Sequence, residues 1–255
     1  MKSAAATPPP TLDQRLLVRR RPDRRPVMYH SWRDLLFLHW RIDPKVIQST
    51  LPAGLYVDTF DGDAWVAIVP FFMNNIRPTW FPAVPGISQF QETNVRTYVY
   101  NEHGTPGVWF YSLDANSWPG VKWGRTFFGL PYHRARMSAS RDDTSHRIDY
   151  RTHRRRTPRN LSSHFIYSPE GAAVTAEPGS LEFFLAERYV LFSHHRGRHY
   201  SGIVSHPPYP VSSADVSCWD DNLIHLAGLP TPGRAPDHIL MSRGVEVEVF
   251  PLERV

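Results

Sequence analysis

Apolar residues in this chain occur mainly in short runs and in period-two alternation, which is the pattern typical of strands. Residues 35–42, LLFLHWRI, form a largely apolar run and predict a buried strand. Residues 92–100 and 245–250 alternate instead, as half-buried strands do. Roughly ten such segments and two or three short helices are indicated. The pattern therefore predicts a mainly β (α+β) fold, because a doubly wound parallel sheet would alternate strands with long helices.

Turn and capping residues divide these segments. Asp43 and Pro44 predict the start of a short helix that closes at Leu51 and Pro52. Asp61-Gly62-Asp63 predicts a hairpin turn. The remaining expectations are hairpins of residues 56–60 with 64–73, 92–100 with 108–114 and 135–140 with 146–152, a loop at 74–89 over the mouth of the sheet, and a short helix at 181–186 opened by Gly179 and Ser180.

The N-terminal segment differs in composition from the rest. Residues 1–27 contain AAATPPP and RRRPDRRP and predict a disordered arm, because they bury too little apolar surface to offset the entropy of ordering. Residues 28–255 suffice for a single domain with a sizeable core. The chain has one cysteine, Cys218, no apolar run of membrane-spanning length and no secretory apolar segment. We expect a cytoplasmic protein that does not bind a membrane.

The formal charge of +5 comes from 26 arginines and 3 lysines against 24 acidic residues. Two local runs, residues 19–25 and 151–159, are the candidates for a phosphate-binding surface. Proline or polar residues flank both runs, which favours a solvated arm and loop. The charge pattern therefore does not favour nucleic acid as a partner.

Residues 121–137, VKWGRTFFGLPYHRARM, interrupt an apolar run with two glycines and a proline and predict a loop-borne polar cluster. This cluster contains Tyr132, His133, Arg134 and Arg136. A bound carbonyl compound would need a general acid or base near neutral pH, and His133 could provide it. The alternative is a histidine bonded to backbone, with no role in chemistry.

Strand parity in residues 92–100 places Glu92, Asn94, Arg96 and Tyr98 on one face. This face is either the polar, solvated side of an ordinary strand or the lining of a polar pocket in a closed barrel. Glu92 and Arg96 could pair with each other, or together bind or polarise a carboxylate or carbonyl group. The sequence leaves both alternatives open.

Five phrases carry a resemblance to a known family. They are WRDLLFLHW at residues 32–40, LPAGLYVDTFDGDAWVAIVPF at 51–71, ETNVRTYV at 92–99, GRTFFGLPYH at 124–133 and LAERYVLF at 185–192. With these phrases the chain, from about residue 29 to 251, resembles the YqjF-like family of uncharacterised conserved bacterial proteins. That family is distantly similar to acetoacetate decarboxylase. The resemblance implies a closed or partly closed antiparallel β-barrel with a few short helices.

The resemblance also implies altered chemistry in a retained pocket. Glu92 matches the pocket glutamate of the decarboxylases, and Arg125 matches the arginine of their Gly-Arg-Glu turn. Their Schiff-base lysine lies in a Pro-Lys-Lys phrase, and the matching phrase here is Pro131-Tyr132-His133. The three lysines, Lys2, Lys45 and Lys122, lie elsewhere, so we do not expect decarboxylation through an imine.

Other kinds of site find little support in the sequence. His194, His195, His199 and His206 have the best spacing for a metal, but no cysteine or nearby carboxylate completes a ligand set. The serine-nucleophile elbow, the phosphate-binding glycine loop and the dinucleotide fingerprint are all missing from the sequence. We expect no metal and no cofactor.

The leading hypothesis is a pocket for a small organic ligand, a carboxylate or carbonyl compound, inside a barrel. Candidate catalytic residues are His133, Glu92 and Tyr132, and candidate ligand-binding residues are Arg96, Arg125, Asn94 and Tyr98. The alternative hypothesis is a nucleic-acid or protein interaction module that uses the arginine-rich segments. Turnover of the ligand and homo-oligomerisation are left open by the sequence.

Overall fold

The computed structural model describes residues 7–195 and 197–255, and strands dominate this part of the chain. No helix in it combines the length and apolar character that a membrane span requires. The strands are β1 (Met28–Ile42), β2 (Leu55–Val57), β3 (Ala64–Pro78), β4 (Phe90–Asn101), β5 (Pro106–Ala115), β6 (Tyr132–Arg141), β7 (Ile148–Arg154), β8 (Ser163–Thr175), β9 (Val190–His195), β10 (Arg198–Ser205), β11 (Pro210–Cys218), β12 (His238–Val249) and β13 (Glu253–Arg254). The α-helices are α1 (Leu12–Leu17), α2 (Pro44–Thr50), α3 (Trp118–Phe127), α4 (Leu181–Ala186) and α5 (Asn222–Leu226).

The strands close into two circuits that share one wall. The shared wall is β12-β1-β3-β4-β5. A nine-strand circuit returns from β5 to β12 through β6, β7, β8 and β11, and a seven-strand circuit returns through β9 and β10. Neighbouring strands are antiparallel except where β5 meets β6 and β9. The predicted mainly β fold with a closed antiparallel sheet and few short helices is confirmed.

The position of strand β1 explains why residues 35–40 lack the alternation of apolar and polar residues that a half-buried strand shows. Leu36, Leu38 and Trp40 pack in the core of the nine-strand circuit, whereas Leu35 and Phe37 pack on the other side of the sheet. Each of these side chains is at most 2% exposed. A strand buried on both faces has no polar face, so it loses the alternation of a half-buried strand. Burial of each such side chain contributes about 1.5–3 kcal/mol to folding.

Two short helices begin where the capping residues predict. The Asp43 side chain accepts a hydrogen bond from Lys45 N at 2.8 Å, and Pro44 occupies the first turn of α2. The Ser180 hydroxyl accepts from Phe183 N at 3.1 Å at the start of α4. These contacts satisfy backbone donors that have no partner inside the helix.

One predicted hairpin is wrong in its pairing. Asp61 and Gly62 do form a turn with positive φ, but only a single bridge, Phe60 to Asp63, follows from it. β2 pairs instead with β4, with Tyr56 opposite Tyr100. Asp61 and Gly62 reverse the direction of the chain locally, whereas β2 finds its pairing partner, β4, through contacts with a distant part of the sheet.

Residues 121–137, predicted as a loop that bears a polar cluster, belong mostly to a helix and a strand. Residues 118–127 form helix α3, which begins at the Ser117 cap with Pro119 in its first turn, and residues 132–141 form β6. The predicted loop at 74–89 is shorter, because β3 extends to Pro78. Gly124 and Gly129 suggested a break, but Gly124 lies within α3, where it allows close contact with the Tyr132 ring, and only Gly129, with a positive φ, follows the end of the helix.

Strands β8 and β11 and helix α5 are among the elements that had no counterpart in the sequence predictions. β8 and β11 pair with each other and complete the nine-strand circuit, and α5 follows them. Both strands contain proline and many small or polar residues, including Pro169, Gly171 and Pro210. Their pairing also carries two register irregularities, so neither strand shows a clean period-two pattern.

Residues 7–27 differ from the predicted disordered arm, while residues 1–6 lie outside the described part of the chain. Helix α1 starts with a capping box in which Thr11 and Gln14 exchange hydrogen bonds. Arg15 then donates to both oxygens of Asp58, at 2.6 and 2.7 Å. Asp58 is fully buried and also accepts from Arg188 at 2.7 Å. The segment is indeed poor in apolar residues, but the ion pair of Arg15 with Asp58 attaches it to the rest of the domain.

We expect deletion of residues 1–25 to lower the melting temperature by more than about 5 °C, because it removes one of two cations from a buried carboxylate. Arg15→Ala alone should cost about 1–3 kcal/mol in the free energy of unfolding, measured by urea denaturation. Arg20→Ala is the matched control, because Arg20 is exposed. Equal stability of the two alanine variants would show that the Arg15–Asp58 contact contributes nothing.

Candidate functional site

The seven-strand circuit encloses a cavity of about 270 Å³. Every strand of that circuit contributes to its lining. The cavity therefore lies inside this circuit, and the nine-strand circuit is filled by its own apolar core. Representative lining residues, one from each strand in chain order, are Trp32, Met73, Arg96, Leu113, Leu191, Val204 and Val249.

The cavity opens between α3 and the loop that follows β3. Ile87 in the loop and Trp123 on α3 line the cavity and are 56% and 46% exposed. Phe90, at the start of β4, lies below the helix, where an added Cβ at Gly120 would come within 3.0 Å of its ring. The mouth is therefore formed by apolar residues that reach the surface.

Glu92 and Tyr132 form a buried acid pair in the wall. The Tyr132 hydroxyl donates to Glu92 Oε2 at 2.8 Å, and both residues line the cavity. Burial raises the pKa of Glu92 to about 8, although the hydrogen bond from Tyr132 acts in the opposite direction. Burial, together with the Glu92 carboxyl, also raises the pKa of Tyr132 well above its ordinary value. Glu92 is therefore largely protonated at neutral pH and can donate a proton.

Helix α3 holds Tyr132 in place. Arg125 Nε donates to the Tyr132 carbonyl at 2.6 Å. The Tyr132 ring lies directly against Gly124, where an added Cβ would come within 2.3 Å of a ring carbon. The Gly-Arg phrase at 124–125 is therefore explained by contact with Tyr132, since any side chain at 124 would displace the ring from Glu92.

The deep end of the cavity is cationic. Arg96 is 8% exposed, donates to the Leu185 carbonyl at 3.2 Å, and forms no ion pair with a carboxylate of the described residues. Its Nε has no hydrogen-bond partner in that part of the chain. Arg188 donates to Asp58 and to the Phe184 carbonyl, but its Nη2 is also unpartnered within the same residues.

Further unpartnered polar atoms line the same cavity. Both ring nitrogens of His30 and the indole nitrogen of Trp32 are buried and have no partner among the described residues. Burial lowers the pKa of His30 to about 4, so this ring is neutral at neutral pH. Buried donors without partners are uncommon in folded proteins, because each costs about 1–3 kcal/mol.

Three predicted site residues, Glu92, Arg96 and Tyr132, line the cavity. Glu92 and Arg96 do not pair with each other. Their Cα atoms are separated by four strand residues, about 13 Å at roughly 3.3 Å per residue. Each side chain has other contacts, Glu92 with Tyr132 and Arg96 with the Leu185 carbonyl.

The structure places His133 outside this cavity. Successive strand residues point to opposite faces, so His133 faces away from Tyr132, on the side of Asp114 and Arg154. Burial, with the charges of Arg154 and Arg125, lowers its pKa to about 4. The expectation that His133 shares a cavity with Glu92 is therefore wrong.

The other predicted ligand-binding residues also lie off the lining. Asn94 and Tyr98 have the expected strand parity but are buried in the wall, and Tyr98 bonds to the His39 ring at 3.0 Å. Arg125 is exposed on the outside of α3. The sequence analysis missed His30, Trp32 and Arg188 as lining residues. Arg188, a charge beside the apolar YVLF segment, was the strongest clue available.

The histidine cluster forms a cross-strand pair. His194 on β9 faces His199 on β10, with their Nδ1 atoms 3.5 Å apart. Within residues 7–195 and 197–255, no three His, Cys, Asp or Glu side chains group as metal ligands would.

A family model described as "uncharacterized conserved protein" matches residues 29–246. The uncharacterized protein YqjF of Bacillus subtilis (strain 168) is 35% identical over 215 residues, which cover 84% of this chain and 87% of that protein. The chain belongs to this YqjF-like family. The sequence resemblance is thereby confirmed.

Solved structures extend the comparison to the fold. The enduracididine biosynthesis enzyme MppR complexed with pyruvate has a TM-score of 0.61 at 15% identity, covering 91% of each chain. An acetoacetate decarboxylase-like enzyme from Sphingomonas wittichii RW1 has a TM-score of 0.59 at 13% identity, covering 90% of this chain and 93% of that one. Acetoacetate decarboxylase from Legionella pneumophila subsp. pneumophila str. Philadelphia 1 has a TM-score of 0.59 at 11% identity, and the match covers 99% of this chain and 98% of that one. The chain therefore has the acetoacetate decarboxylase-like fold of these structures.

We expect Glu92→Gln to change the pH dependence of stability. Between about pH 5 and 8 the folded carboxyl keeps its proton while the unfolded one loses it, so the contribution of Glu92 to stability falls as pH rises. Glutamine removes this titration and stays neutral. As pH rises through this range, the free energy of unfolding measured with urea should therefore increase for the variant relative to the unmodified protein.

Glu170→Gln at the exposed end of β8 controls for the loss of one carboxylate. A difference between the Glu92 variant and the unmodified protein that stays constant from pH 5 to 8 would contradict the raised pKa.

Proposed function

We propose that the seven-strand circuit binds a small carboxylate or carbonyl compound, with its anionic group at Arg96. The observation that carries this proposal is a buried guanidinium that lines a cavity and forms no ion pair among the described residues. A buried charge without a partner costs several kcal/mol. A ligand carboxylate at Arg96 would offset that cost and could accept from the free nitrogens of Arg96 and Arg188.

The balance of charge at the deep end supports an anion. Asp58 is the carboxylate shared by Arg15 and Arg188, while Arg96 adds a further cation. Glu92 contributes little negative charge at neutral pH because its pKa is about 8. The solved complex of MppR with pyruvate is consistent with this ligand class in a protein of the same fold.

Glu92 and Tyr132 provide the chemistry that this cavity offers. A protonated carboxyl beside a phenol can donate a hydrogen bond to a carbonyl oxygen, or transfer a proton to it. His133, the third candidate, faces another side of the sheet and takes no part in this proposal. Lys45 and Lys122 are exposed on α2 and α3 and do not line the cavity, so the proposed chemistry proceeds without an imine.

Two observations disfavour the interaction-module alternative. Within residues 19–25, Arg21 and Arg24 pair with Glu248 and Glu253 of the same chain. Within residues 151–159, Arg154 is buried against Asp114 at 2.9 Å. Both runs are therefore partly used for internal contacts. Homo-oligomerisation stays a prediction.

We expect Arg96→Met to keep the fold and to weaken binding of pyruvate or acetoacetate at least tenfold, because the cation is lost while most of the side-chain volume remains. Isothermal titration calorimetry measures the dissociation constant. Arg134→Met, an exposed change outside the cavity, is the matched control and should bind normally. Equal affinity in the two variants would exclude Arg96 as the anion-binding residue.

Borohydride reduction in the presence of acetoacetate should leave the mass of the protein unchanged. The position matched to the decarboxylase lysine phrase holds Tyr132 and His133, and neither side chain forms a Schiff base. Mass spectrometry of the intact protein makes the measurement, with a lysine-dependent acetoacetate decarboxylase as the positive control. An adduct that maps to Lys122 would contradict the proposal of chemistry without an imine.

A further inference from the structure

The polarity of the cavity changes along its length. This inference rests on the proposed function and concerns which carboxylates the cavity accepts. Strand β4 runs along the cavity, with Phe90 near the mouth, Glu92 in the wall and Arg96 at the deep end. Six strand residues separate Phe90 from Arg96, which is about 20 Å at roughly 3.3 Å per residue. The cationic end therefore lies far from the opening.

The wall between these ends is mostly apolar. Its polar members include His30, Trp32, Ser88 and the Glu92–Tyr132 pair. The His30 ring and the Glu92 carboxyl are both largely uncharged at neutral pH. A ligand as short as pyruvate, held at Arg96, would leave this stretch empty or filled by water with few partners. The apolar wall residues are Met73, Ile76, Phe110, Leu113, Leu130, Leu191 and Val204.

The apolar surface continues through the mouth. Ile87 and Trp123 line the cavity and are also substantially exposed, and Phe127 packs against Trp123 with ring centroids 4.2 Å apart. A mouth for a small polar metabolite has no need of exposed aromatic rings. Exposed apolar patches that lead into a cavity are typical of sites for apolar ligands.

We infer that the cavity accepts an amphiphilic carboxylate, whose anionic head binds Arg96 and Arg188 and whose apolar chain extends past Glu92 towards Trp123. The ligand class is a monocarboxylate with a linear apolar chain of medium length. The neutral state of Glu92 permits an apolar chain to pass, and the exposed end of the chain would contact the rings at the mouth.

The experiment measures dissociation constants of butanoate, hexanoate, octanoate and decanoate by calorimetry, below their micelle concentrations. Each added methylene should tighten binding roughly fourfold until the chain reaches the mouth, where the gain should level off. 1-Octanol lacks the carboxylate and should bind at least tenfold more weakly than octanoate. Arg96→Met should weaken all four acids by a similar factor and keep the dependence on chain length.

Variants at the mouth test the direction of the chain. Trp123→Ala should weaken decanoate severalfold and leave butanoate unchanged, because only the longer chain reaches the ring. Trp118→Ala, on the same helix but outside the cavity lining, is the matched control and should change neither. Equal effects of Trp123→Ala on both acids would overturn the assigned direction.

The outcomes separate this inference from the proposed function. Equal affinities for all four acids, with loss on Arg96→Met, would overturn the amphiphilic ligand and keep the small-carboxylate site. Octanol binding as tightly as octanoate would also overturn it, because the head would then not reach Arg96. Failure of every acid, pyruvate and acetoacetate to bind would remove the proposed function itself.

Discussion

The shared wall of five strands is the constraint on which the rest of the structure depends. Where a strand of this wall separates the two interiors, as β1 does at residues 35–40, neither face can be left to water. Residues 35–40 are buried without interruption for this reason. One circuit fills its interior with an apolar core, and the other contains the cavity. A polar side chain on the wall must therefore find a partner inside, or face the cavity.

Arginine chemistry follows from that constraint. Asp58 is fully buried and receives Arg15 from outside the sheet and Arg188 from the cavity side, so a single carboxylate joins the N-terminal segment to the candidate site. Removal of either arginine would leave the buried negative charge of Asp58 with a single cation to offset its desolvation. Arg96 contacts the Leu185 carbonyl and the rings of Phe37 and Tyr98, and it forms no ion pair within the described part of the chain. Arg188 is thus neutralised by Asp58 and keeps one unpartnered nitrogen among the described residues, whereas the whole charge of Arg96 lacks a carboxylate there.

Local patterns in the sequence predicted local features well. The caps at Asp43 and Ser180, the buried strand that includes residues 35–40 and the parity that places Glu92 with Arg96 all follow from spacing of a few residues. Features decided by distant parts of the chain were beyond such patterns. The partner of β2, the role of α1 and the contribution of Arg188 depend on contacts across many tens of residues. His133 was misplaced because its segment was taken as a loop, where strand parity does not apply.

The Glu92–Tyr132 pair explains how the proposed site can work where the decarboxylases use a lysine. An amine in this wall would sit close to Glu92 and draw the carboxyl towards its ionised form, because an opposite charge lowers the pKa of a carboxyl. A phenol donates a hydrogen bond without carrying charge, so burial dominates and Glu92 keeps its proton. The ring also needs the space left by Gly124, which ties the start of β6 to helix α3. Tyrosine at this position thus keeps the wall uncharged and leaves the transferable proton on Glu92, which suits hydrogen bonding to a ligand and not covalent capture of it.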